Sequence, residues 1–306
     1  MVRIESLVVG TSQSACEDMT RVLVIGSGGM LGHDLIRELK DYEVAGMGRQ
    51  QLDIRETSAV YEAVRGFDVV INAAAYTNVD QAESNSEVAF AVNAGGARNL
   101  AQATAAHGSH LIQISTDYVF DGKATRPYSE TDPTNPVSVY GKSKRDGEIA
   151  VAEENPRSTI VRTSWLYGEH GSHFPRTIAS LAKKLDVIDV VTDQTGQPTA
   201  SSDVARMIGI LMSAGLPSGV FHATNSGQTS WFDFANSLFA RAGWDANRIR
   251  PTTSNHFVRP AHRPSWSVLG HQRWETIGVN HPRHWSEALD EAWEIYLGKL
   301  FSDEVL

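Results

Sequence analysis

The sequence predicts an α/β fold in which a doubly wound parallel sheet is joined to a smaller α/β domain. Three observations support this prediction. From residue 21 onwards, short apolar runs alternate with stretches of helical spacing. A glycine-rich turn separates the first apolar run from the first helical stretch. The composition changes after about residue 225, where every tryptophan except Trp165 lies.

The apolar runs and the helical stretches follow one another at the spacing of βαβ units, which build parallel sheets with helices on both faces. Right-handed crossovers then leave a doubly wound Rossmann fold as the simplest arrangement. The predicted strands cover 22–25, 43–47, 68–72, 110–115 and 158–162, and the predicted helices cover 30–40, 56–66, 86–107 and 140–153.

We expect three parts along the chain. Residues 1–19 carry only a brief apolar run and predict a loosely attached extension, with an ordered edge strand over 4–9 as the alternative. Residues 20–168 are expected to form the Rossmann domain. Residues 169–306 are expected to form mainly a substrate-binding domain, with segments near 187–215 returning to the Rossmann domain. The tryptophans of this second part predict a packed core rather than a surface for stacking bases.

The composition excludes several classes of protein. The single cysteine, Cys16, excludes an intrachain disulfide and is typical of a reducing compartment. The net charge of −9 argues against a nucleic-acid-binding surface. No apolar run approaches the roughly 20 residues that cross a bilayer. We therefore expect a soluble, cytoplasmic protein without a nucleic-acid or membrane partner.

The glycine-rich turn has the spacing and the position of a dinucleotide-binding loop. Gly26, Gly29 and Gly32 follow the pattern G-x-x-G-x-x-G, and Met30 and Leu31 open the helix. Such glycines allow a tight turn, the approach of a diphosphate to the backbone, and close packing of helix against strand. The free N–H groups and the dipole at the helix start attract the diphosphate. The turn therefore predicts a nicotinamide dinucleotide cofactor.

The end of the second strand indicates which cofactor is bound. An NAD site usually has a carboxylate there to hold the ribose hydroxyls, whereas this chain has Arg49. Arg49 is placed to meet a 2′-phosphate, which favours NADP(H) and still permits NAD(H). Asp53, beyond Arg49, suits the adenine edge, and Ile54 follows it. The third strand ends in the small residues Ala73, Ala74 and Ala75, which let the cofactor lie against the backbone. These five residues are further expected cofactor contacts.

A tyrosine and a lysine at the start of a predicted helix indicate proton transfer. Tyr140 and Lys144 are four residues apart and share one helical face. A free tyrosine has a pKa of about 10, and a nearby lysine charge is expected to lower it. Thr116 ends the fourth strand at the same edge of the sheet and offers a hydroxyl to a substrate ketone. We expect these three groups to form the catalytic centre.

Six segments of the chain resemble the dTDP-4-dehydrorhamnose reductase family of extended short-chain dehydrogenases/reductases. The resemblance runs from about residue 21 to the 283–285 region. The run Ser-Thr-Asp-Tyr-Val-Phe-Asp-Gly at 115–122 and the run Asp-Gln-Thr-Gly-Gln-Pro-Thr at 193–199 are the specific ones, whereas the glycine loop and the Tyr/Lys pair are shared far more widely. The six segments are 26–32, 72–80, 115–122, 140–144, 162–167 and 193–199.

The resemblance implies a reaction and a role for each catalytic residue. The chain would reduce the C4 keto group of dTDP-4-dehydro-L-rhamnose with NADPH, in the last step of dTDP-rhamnose biosynthesis. Tyr140 would protonate O4, Lys144 would hold the nicotinamide ribose and tune Tyr140, and Thr116 would complete the triad where many relatives have serine. The positions that match the family's sugar-nucleotide pocket are Asp117, Tyr118, Trp165 and Arg263.

The resemblance also raises the questions of metal and assembly. Family members can bind Mg²⁺ between subunits through carboxylates, and the matching position is Asp34. No convincing partner carboxylate is evident and the histidines show no helical ligand pair, so Mg²⁺ is possible but not supported, and no metal site is assigned. The oligomeric state is left open between a monomer and a homodimer.

Four other functions are considered as alternatives. A sugar-nucleotide dehydratase commonly has glutamate after the aspartate that follows the threonine, whereas Asp117 is followed here by Tyr118. An epimerase or another 4-ketoreductase of the same superfamily could use the same tyrosine. A non-catalytic, NADP-binding regulatory subunit could be built on the same fold, although the intact Thr116, Tyr140 and Lys144 favour catalysis.

Overall fold

The computed structural model describes residues 19–302 of the chain. The alternatives for the N-terminal extension concern residues before this range, so the loose segment and the edge strand over 4–9 both lie outside the described residues. Within the described range, no helix is both long enough and apolar enough to cross a membrane.

A parallel sheet of six strands forms the centre of the fold. The strands of the described chain are β1 (Arg21–Ile25), β2 (Glu43–Met47), β3 (Val69–Asn72), β4 (His110–Thr116), β5 (Thr159–Thr163), β6 (Leu166–Tyr167), β7 (Ile188–Val191), β8 (Thr195–Gly196), β9 (Thr199–Ala200), β10 (Gly219–His222), β11 (Thr229–Ser230) and β12 (Ile249–Thr252). The sheet has the order β10-β5-β4-β3-β1-β2. The fold class and the five predicted strands are confirmed, whereas β10 was not predicted because its short run lacks a clear apolar pattern.

Helices cover both faces of the sheet and build most of the second half of the chain. They are α1 (Met30–Glu38), α2 (Thr57–Ala63), α3 (Val79–Ser84), α4 (Ser86–Phe90), α5 (Ala97–His107), α6 (Val139–Glu154), α7 (Phe174–Ala182), α8 (Ser201–Ser213), α9 (Trp231–Ala242), α10 (Gln272–Thr276), α11 (Trp285–Ala292) and α12 (Gly298–Phe301). Single turns of 3₁₀-helix follow β4 and precede β12.

The helix predicted over 86–107 is interrupted. A π-helical segment, Ala91–Gly96, separates α4 from α5, and such segments often occur at functional sites. The helix α3 was not predicted, because it is short and mostly polar. It begins where the Asn78 side chain accepts a hydrogen bond from the backbone N–H of Gln81, which is a typical N-terminal cap.

The sheet buries apolar side chains on both of its faces. Along β1, Val22 and Val24 belong to the core on one face, and Leu23 and Ile25 belong to the core on the other. Alternation of this kind follows from the period of two along a strand. Burial on both faces is typical of parallel sheets covered by helices and fixes the carboxyl ends of β1 to β5 along one edge.

A separate core forms in the second half of the chain, where β7 pairs with β12 and α7, α9 and α11 pack together. The chain also returns to the sheet from this half, since α8 packs in the sheet core and β10 adds a sheet strand beside β5. The return was expected near 187–215. It lies in α8 and just beyond that range in β10, while β7 stays with the second core.

Five of the six tryptophans of the second half pack in or against these two cores, as expected. Trp274 is fully buried in the sheet core. Four others pack against the second core while remaining partly exposed: Trp231, Trp244, Trp285 and Trp293.

Candidate active site

The loops that follow β1 and β3 meet at the middle of the sheet's carboxyl edge. The strand order reverses here, since β2 and β3 lie on opposite sides of β1. Ligands of open parallel sheets bind at such a switch point. Gly26 has a φ of +82°, and a Cβ on it would stand 2.7 Å from the backbone nitrogen of Ala74. Any side chain at position 26 would therefore displace the 73–75 loop, where the cofactor is expected.

The glycine turn leads directly into α1. The N–H of Gly29 donates to the carbonyl of Gly26 at 2.9 Å, and Gly29 is the N-cap residue of α1, with no side chain capping the helix. A Cβ on Gly32 would stand 2.7 Å from the Cα of Ser27. The first turn of α1 carries no acidic residue, so its free N–H groups and its dipole suit a diphosphate.

Some of the expected cofactor residues use their side chains for packing. Leu31 is 6% exposed and Ile54 is 4% exposed, and both belong to the apolar core. Met30 packs against Gly168, where a Cβ would stand 2.8 Å from its Cγ. Leu31 and Ile54 are therefore limited to backbone contacts with a cofactor.

The turn after β2 carries the charged residues expected at the adenosine end of the cofactor. Arg49 is exposed. Asp53 accepts hydrogen bonds from Arg55, with an Oδ2–Nη2 distance of 2.5 Å, and this side-chain bond lowers the pKa of Asp53 to about 2. The Asp53 carboxylate was predicted to face the adenine edge, and in the structure it is paired with the neighbouring Arg55, a contact that was not predicted.

Thr116 and Tyr140 meet at the carboxyl end of β4. Thr116 is 6% exposed, and its hydroxyl donates to Asp117 Oδ1 at 2.9 Å. Ser138 caps α6 by accepting from the N–H of Gly141 at 3.1 Å, which fixes the first turn of the helix and with it Tyr140. Burial raises the pKa of Tyr140, and the nearby Thr116 hydroxyl partly offsets that rise.

Lys144 is held beneath the tyrosine. It is 4% exposed, and its Nζ donates to the carbonyl of Ile114 at 2.6 Å. Burial lowers the pKa of Lys144 to about 8, against the opposing charge of Glu148. The sequence predicted that the lysine lowers the pKa of Tyr140. This was wrong for the structure described, because burial raises the pKa of Tyr140, which keeps the phenol protonated at neutral pH.

Asn93, which was not predicted from the sequence, joins the site. Its Oδ1 accepts from the N–H of Tyr76 at 2.8 Å, and its Nδ2 donates to Ser143 Oγ at 2.9 Å. Ser143 lies in the helix turn between Tyr140 and Lys144, so Asn93 connects the loop after β3 to the catalytic helix. The available signal was an asparagine in the middle of a predicted helix, where that residue is unfavourable without a specific role.

The two residues that follow Thr116 line the same end of the cleft. Asp117 is 1% exposed, and among residues 19–302 its Oδ2 has no hydrogen-bond partner. Burial raises the pKa of Asp117 to about 6. The Tyr118 ring meets the Tyr140 ring edge to face, with centroids 5.7 Å apart. The unpaired oxygen of Asp117 and the Tyr118 ring suit the sugar contacts predicted for these residues.

Arg263 is brought to the site by a residue to which the sequence analysis gave no role. Its guanidinium forms a two-point ion pair with Asp80, with Nη1–Oδ1 and Nη2–Oδ2 distances of 2.7 and 2.9 Å. Asp80 lies in the first turn of α3, within the 72–80 segment that carried the family resemblance. The pair attaches the loop near 263 to the Rossmann half, and substrate binding by Arg263 stays a prediction.

Trp165 follows β5 and is partly exposed. It has a φ of 45°, a left-handed conformation that is unusual for a large side chain. Its indole ring lies parallel to that of Trp231, with centroids 3.5 Å apart. The sequence predicted Trp165 as a pocket residue but could not predict this contact between the two halves of the chain.

The position that matches the family's Mg²⁺ ligand does not fit a metal ion here. Asp34 is 5% exposed. One of its carboxylate oxygens accepts from Arg37 at 2.5 Å, and the other accepts from the hydroxyl of Ser201. Among residues 19–302, no group of three or more His, Cys, Asp or Glu has the geometry to hold a metal ion. The carboxylate of Asp34 stabilises the contact between α1 and α8.

The fold and the site together define the class of protein. A glycine turn at the switch point of a parallel sheet faces a Tyr/Lys helix along the same edge, which is the arrangement of an extended short-chain dehydrogenase/reductase. The family model described as the RmlD substrate binding domain matches residues 19–297. The chain belongs to this family, the dTDP-4-dehydrorhamnose reductases.

Curated relatives and solved structures agree with this assignment. A protein of Streptomyces griseus named dTDP-4-dehydrorhamnose reductase is 46% identical over 288 residues, covering 91% of this chain and 95% of the relative. A protein of Streptomyces antibioticus named a probable dTDP-4,6-dihydroxy-2-methyloxan-3-one 4-ketoreductase is 45% identical, covering 89% and 94%. The crystal structure of dTDP-4-dehydrorhamnose reductase from Bacillus anthracis in complex with NADP has a TM-score of 0.87 at 38% identity, covering 90% and 99%.

Proposed function

We propose that the chain reduces the C4 keto group of dTDP-4-dehydro-L-rhamnose to give dTDP-L-rhamnose, with NADPH as reductant, in the last step of dTDP-rhamnose biosynthesis. The observation that carries the proposal is the meeting of Thr116, Tyr140 and Lys144 at the edge of the sheet that also holds the glycine turn. The name of the Streptomyces griseus relative supports this choice of substrate.

The residues of this site suit reduction. NADPH, when bound, supplies the hydride. Tyr140 donates a proton to O4 of the sugar, and burial favours the protonated phenol that this role needs. The Thr116 hydroxyl turns from Asp117 to the same oxygen and stabilises its developing charge. The Lys144 ammonium would hold the nicotinamide ribose, and its positive charge would favour the phenolate left after proton transfer, against the larger effect of burial.

The cleft fits a nicotinamide dinucleotide. Gly26 and Gly32 leave space that a Cβ would fill, and the start of α1 offers unpaired N–H groups to a diphosphate. Thr163 lies next to Thr116 in the register of the sheet, and its buried hydroxyl has no partner among residues 19–302. A ligand group at this edge would satisfy that hydroxyl.

NADPH is preferred to NADH because of the turn after β2. Arg49 is exposed there, and the Asp53 carboxylate is engaged with Arg55. The 2′-phosphate of NADPH would gain an ion pair with Arg49, whereas NADH would lack it. The Bacillus anthracis structure contains NADP, which supports the same preference.

A second candidate is the reduction of a different dTDP-linked 4-keto sugar. The name of the Streptomyces antibioticus relative, at 45% identity, favours it, because that name describes a 4-ketoreductase with another substrate. The proposed mechanism serves both substrates without change, since it involves only the ketone. A dehydratase is disfavoured, because Tyr118 stands where the second acid–base residue would be needed.

The remaining expectations belong to the same proposal. We place the enzyme in the cytoplasm as a monomer or homodimer, with a sugar nucleotide as its partner and no role for nucleic acid or membrane. Residues 20–168 would hold the cofactor and most of residues 169–306 would hold the substrate. Light scattering of the purified protein would measure the oligomeric state.

A panel of sugar nucleotides tests the proposal. The purified chain is supplied with NADPH and with several dTDP-linked 4-keto-6-deoxy sugars, and the loss of NADPH absorbance is followed. We expect the highest kcat/KM with dTDP-4-dehydro-L-rhamnose. A higher value with another 4-keto sugar would favour the second candidate. Binding of NADPH without turnover of any sugar would favour the regulatory subunit.

A further inference from the structure

Two tryptophans, one from each half of the chain, lie face to face beside the site. Trp165 follows β5, and Trp231 is the first residue of α9. Their ring centroids are 3.5 Å apart and their planes are inclined by only 7°. Both side chains keep part of their surface exposed, so the pair is not simply part of a core. Phe174, the first residue of α7, lies 4.5 Å from the Trp231 ring.

The backbone around Trp165 holds the residue in a strained conformation. Its φ of 45° lies in the left-handed region, which a bulky residue occupies only where its surroundings enforce it. The N–H of Thr199 donates to the carbonyl of Trp165 at 3.3 Å, and the Ser164 hydroxyl donates to the carbonyl of Gln197 at 2.9 Å. These two hydrogen bonds to the 197–199 segment therefore fix the backbone from which the Trp165 indole extends.

Gly196 makes a second contact with the Trp165 indole. A Cβ at this position would stand 2.6 Å from Cζ2 and 2.7 Å from Nε1 of the ring. These distances are too short for non-bonded atoms, so any side chain at position 196 would displace the indole. Glycine at 196 and the flat face of Trp231 together leave the Trp165 ring one orientation.

We propose that Trp231 is a positioning residue for the sugar nucleotide. Its stacking fixes the orientation of Trp165, so the second half of the chain sets the shape of a pocket whose catalytic groups lie in the Rossmann half. The inference rests on the proposed function, in which Trp165 lines the sugar-nucleotide pocket. The glycine turn is formed by other segments, and Trp231 therefore acts on sugar-nucleotide binding without acting on NADPH binding.

Substitution of Trp231 tests this role. Trp231→Leu keeps an apolar side chain beside Phe174 but removes the flat partner of Trp165. We expect KM for the sugar nucleotide to rise about fivefold, the factor that corresponds to an aromatic pair of roughly 1 kcal/mol. The value of kcat and the Kd of NADPH should stay unchanged. The circular dichroism couplet of two stacked indoles should disappear, and Trp231→Phe should restore most of the KM.

Trp244→Leu is the matched control. Trp244 lies just beyond the other end of α9, where it packs edge to face against Phe239 at 5.2 Å. Its loss removes a tryptophan from the same core without touching Trp165, and we expect an unchanged KM. If Trp231→Leu fails to fold, Gly196→Ala displaces the same indole from its other contact and should raise KM in the same way.

The outcomes separate this inference from the proposed function. A wild-type KM in Trp231→Leu, or an equal rise in Trp244→Leu, would overturn the positioning role while leaving the reductase activity intact. Failure of the wild-type chain to turn over any of the sugar nucleotides would overturn the proposed function. In that case calorimetric binding of dTDP-L-rhamnose to the same variants still decides the role of Trp231, with a fivefold weaker Kd expected for Trp231→Leu.

Discussion

The two ends of the cofactor cleft are built in different ways. At the nicotinamide end, Lys144 is 4% exposed and donates to the backbone of β4, and Asn93 ties the same helix to the loop after β3. At the proposed adenosine end, the proposed preference for NADPH rests on Arg49, an exposed residue on a turn. We therefore expect kcat to be sensitive to the loss of a single atom at the buried end. The preference for NADPH over NADH should change little when the exposed end is altered, and it should be smaller at high salt.

Removal of the Tyr140 hydroxyl should have the largest effect. Tyr140→Phe removes the proton donor while leaving the ring against Tyr118, so we expect kcat to fall by about 100-fold or more with an unchanged Kd for NADPH. Tyr61→Phe, in the partly exposed helix α2, is the control. An undiminished kcat in Tyr140→Phe would mean that another group supplies the proton.

A methyl group on the glycine turn should have the next largest effect. In Gly32→Ala the new Cβ collides with the backbone of Ser27, which forces the diphosphate loop to move. We expect NADPH to bind roughly 30-fold more weakly, as a strain of about 2 kcal/mol implies. Fluorescence titration measures the Kd. Gly28→Ala is the matched control, since a Cβ there meets nothing within 4 Å, and equal losses in both variants would argue against a built diphosphate site.

The pH dependence tests whether the charge on buried Lys144 is used. Burial lowers the pKa of Lys144 to about 8, with Glu148 opposing the shift, so the ammonium is lost as the pH rises through that value. We expect kcat to fall above pH 8, approaching roughly tenfold per pH unit. Glu148→Gln removes the opposing charge and should move the fall to lower pH. A kcat that stays level beyond pH 9.5 would show that the charge is not needed.

Substitution of the exposed Arg49, at the proposed adenosine end, should have the smallest effect on the enzyme. Arg49→Ala should lower the preference for NADPH over NADH about fivefold at low salt, and less at high salt, because an exposed ion pair is weak and screened. The ratio of kcat/KM for the two cofactors measures the preference. Arg65→Ala, at an exposed arginine beyond α2, should leave it unchanged. The same ratio in Arg49→Ala as in the wild type would place the 2′-phosphate elsewhere.

Features formed by residues close together in the chain were predicted from the sequence, whereas contacts between distant residues were not. The β1 strand, the glycine turn and the pair Tyr140 and Lys144 were predictable because each is encoded by residues close together in the chain. The partner of Arg263 is Asp80, 183 residues away, and no local pattern indicates such a contact. The stacking of Trp165 on Trp231 was missed for the same reason.

Burial was the other quantity that local patterns could not supply. The sequence placed a lysine beside a tyrosine and so predicted a lowered tyrosine pKa. In the folded chain both groups are removed from water, which disfavours their charged forms, and the pKa of Tyr140 rises instead. The strand β10 was not predicted, because a strand as short as Gly219–His222 carries little pattern.

Isotope transfer tests the central claim most directly. NADPH carrying deuterium at the transferable position of its nicotinamide is mixed with the purified chain and dTDP-4-dehydro-L-rhamnose, and the product is analysed by NMR and mass spectrometry. The proposed reduction places one deuterium at C4 of dTDP-L-rhamnose for each NADPH oxidised. Deuterium at another carbon, or unreacted keto sugar in the presence of bound NADPH, would contradict the assignment of this site as a C4 ketoreductase.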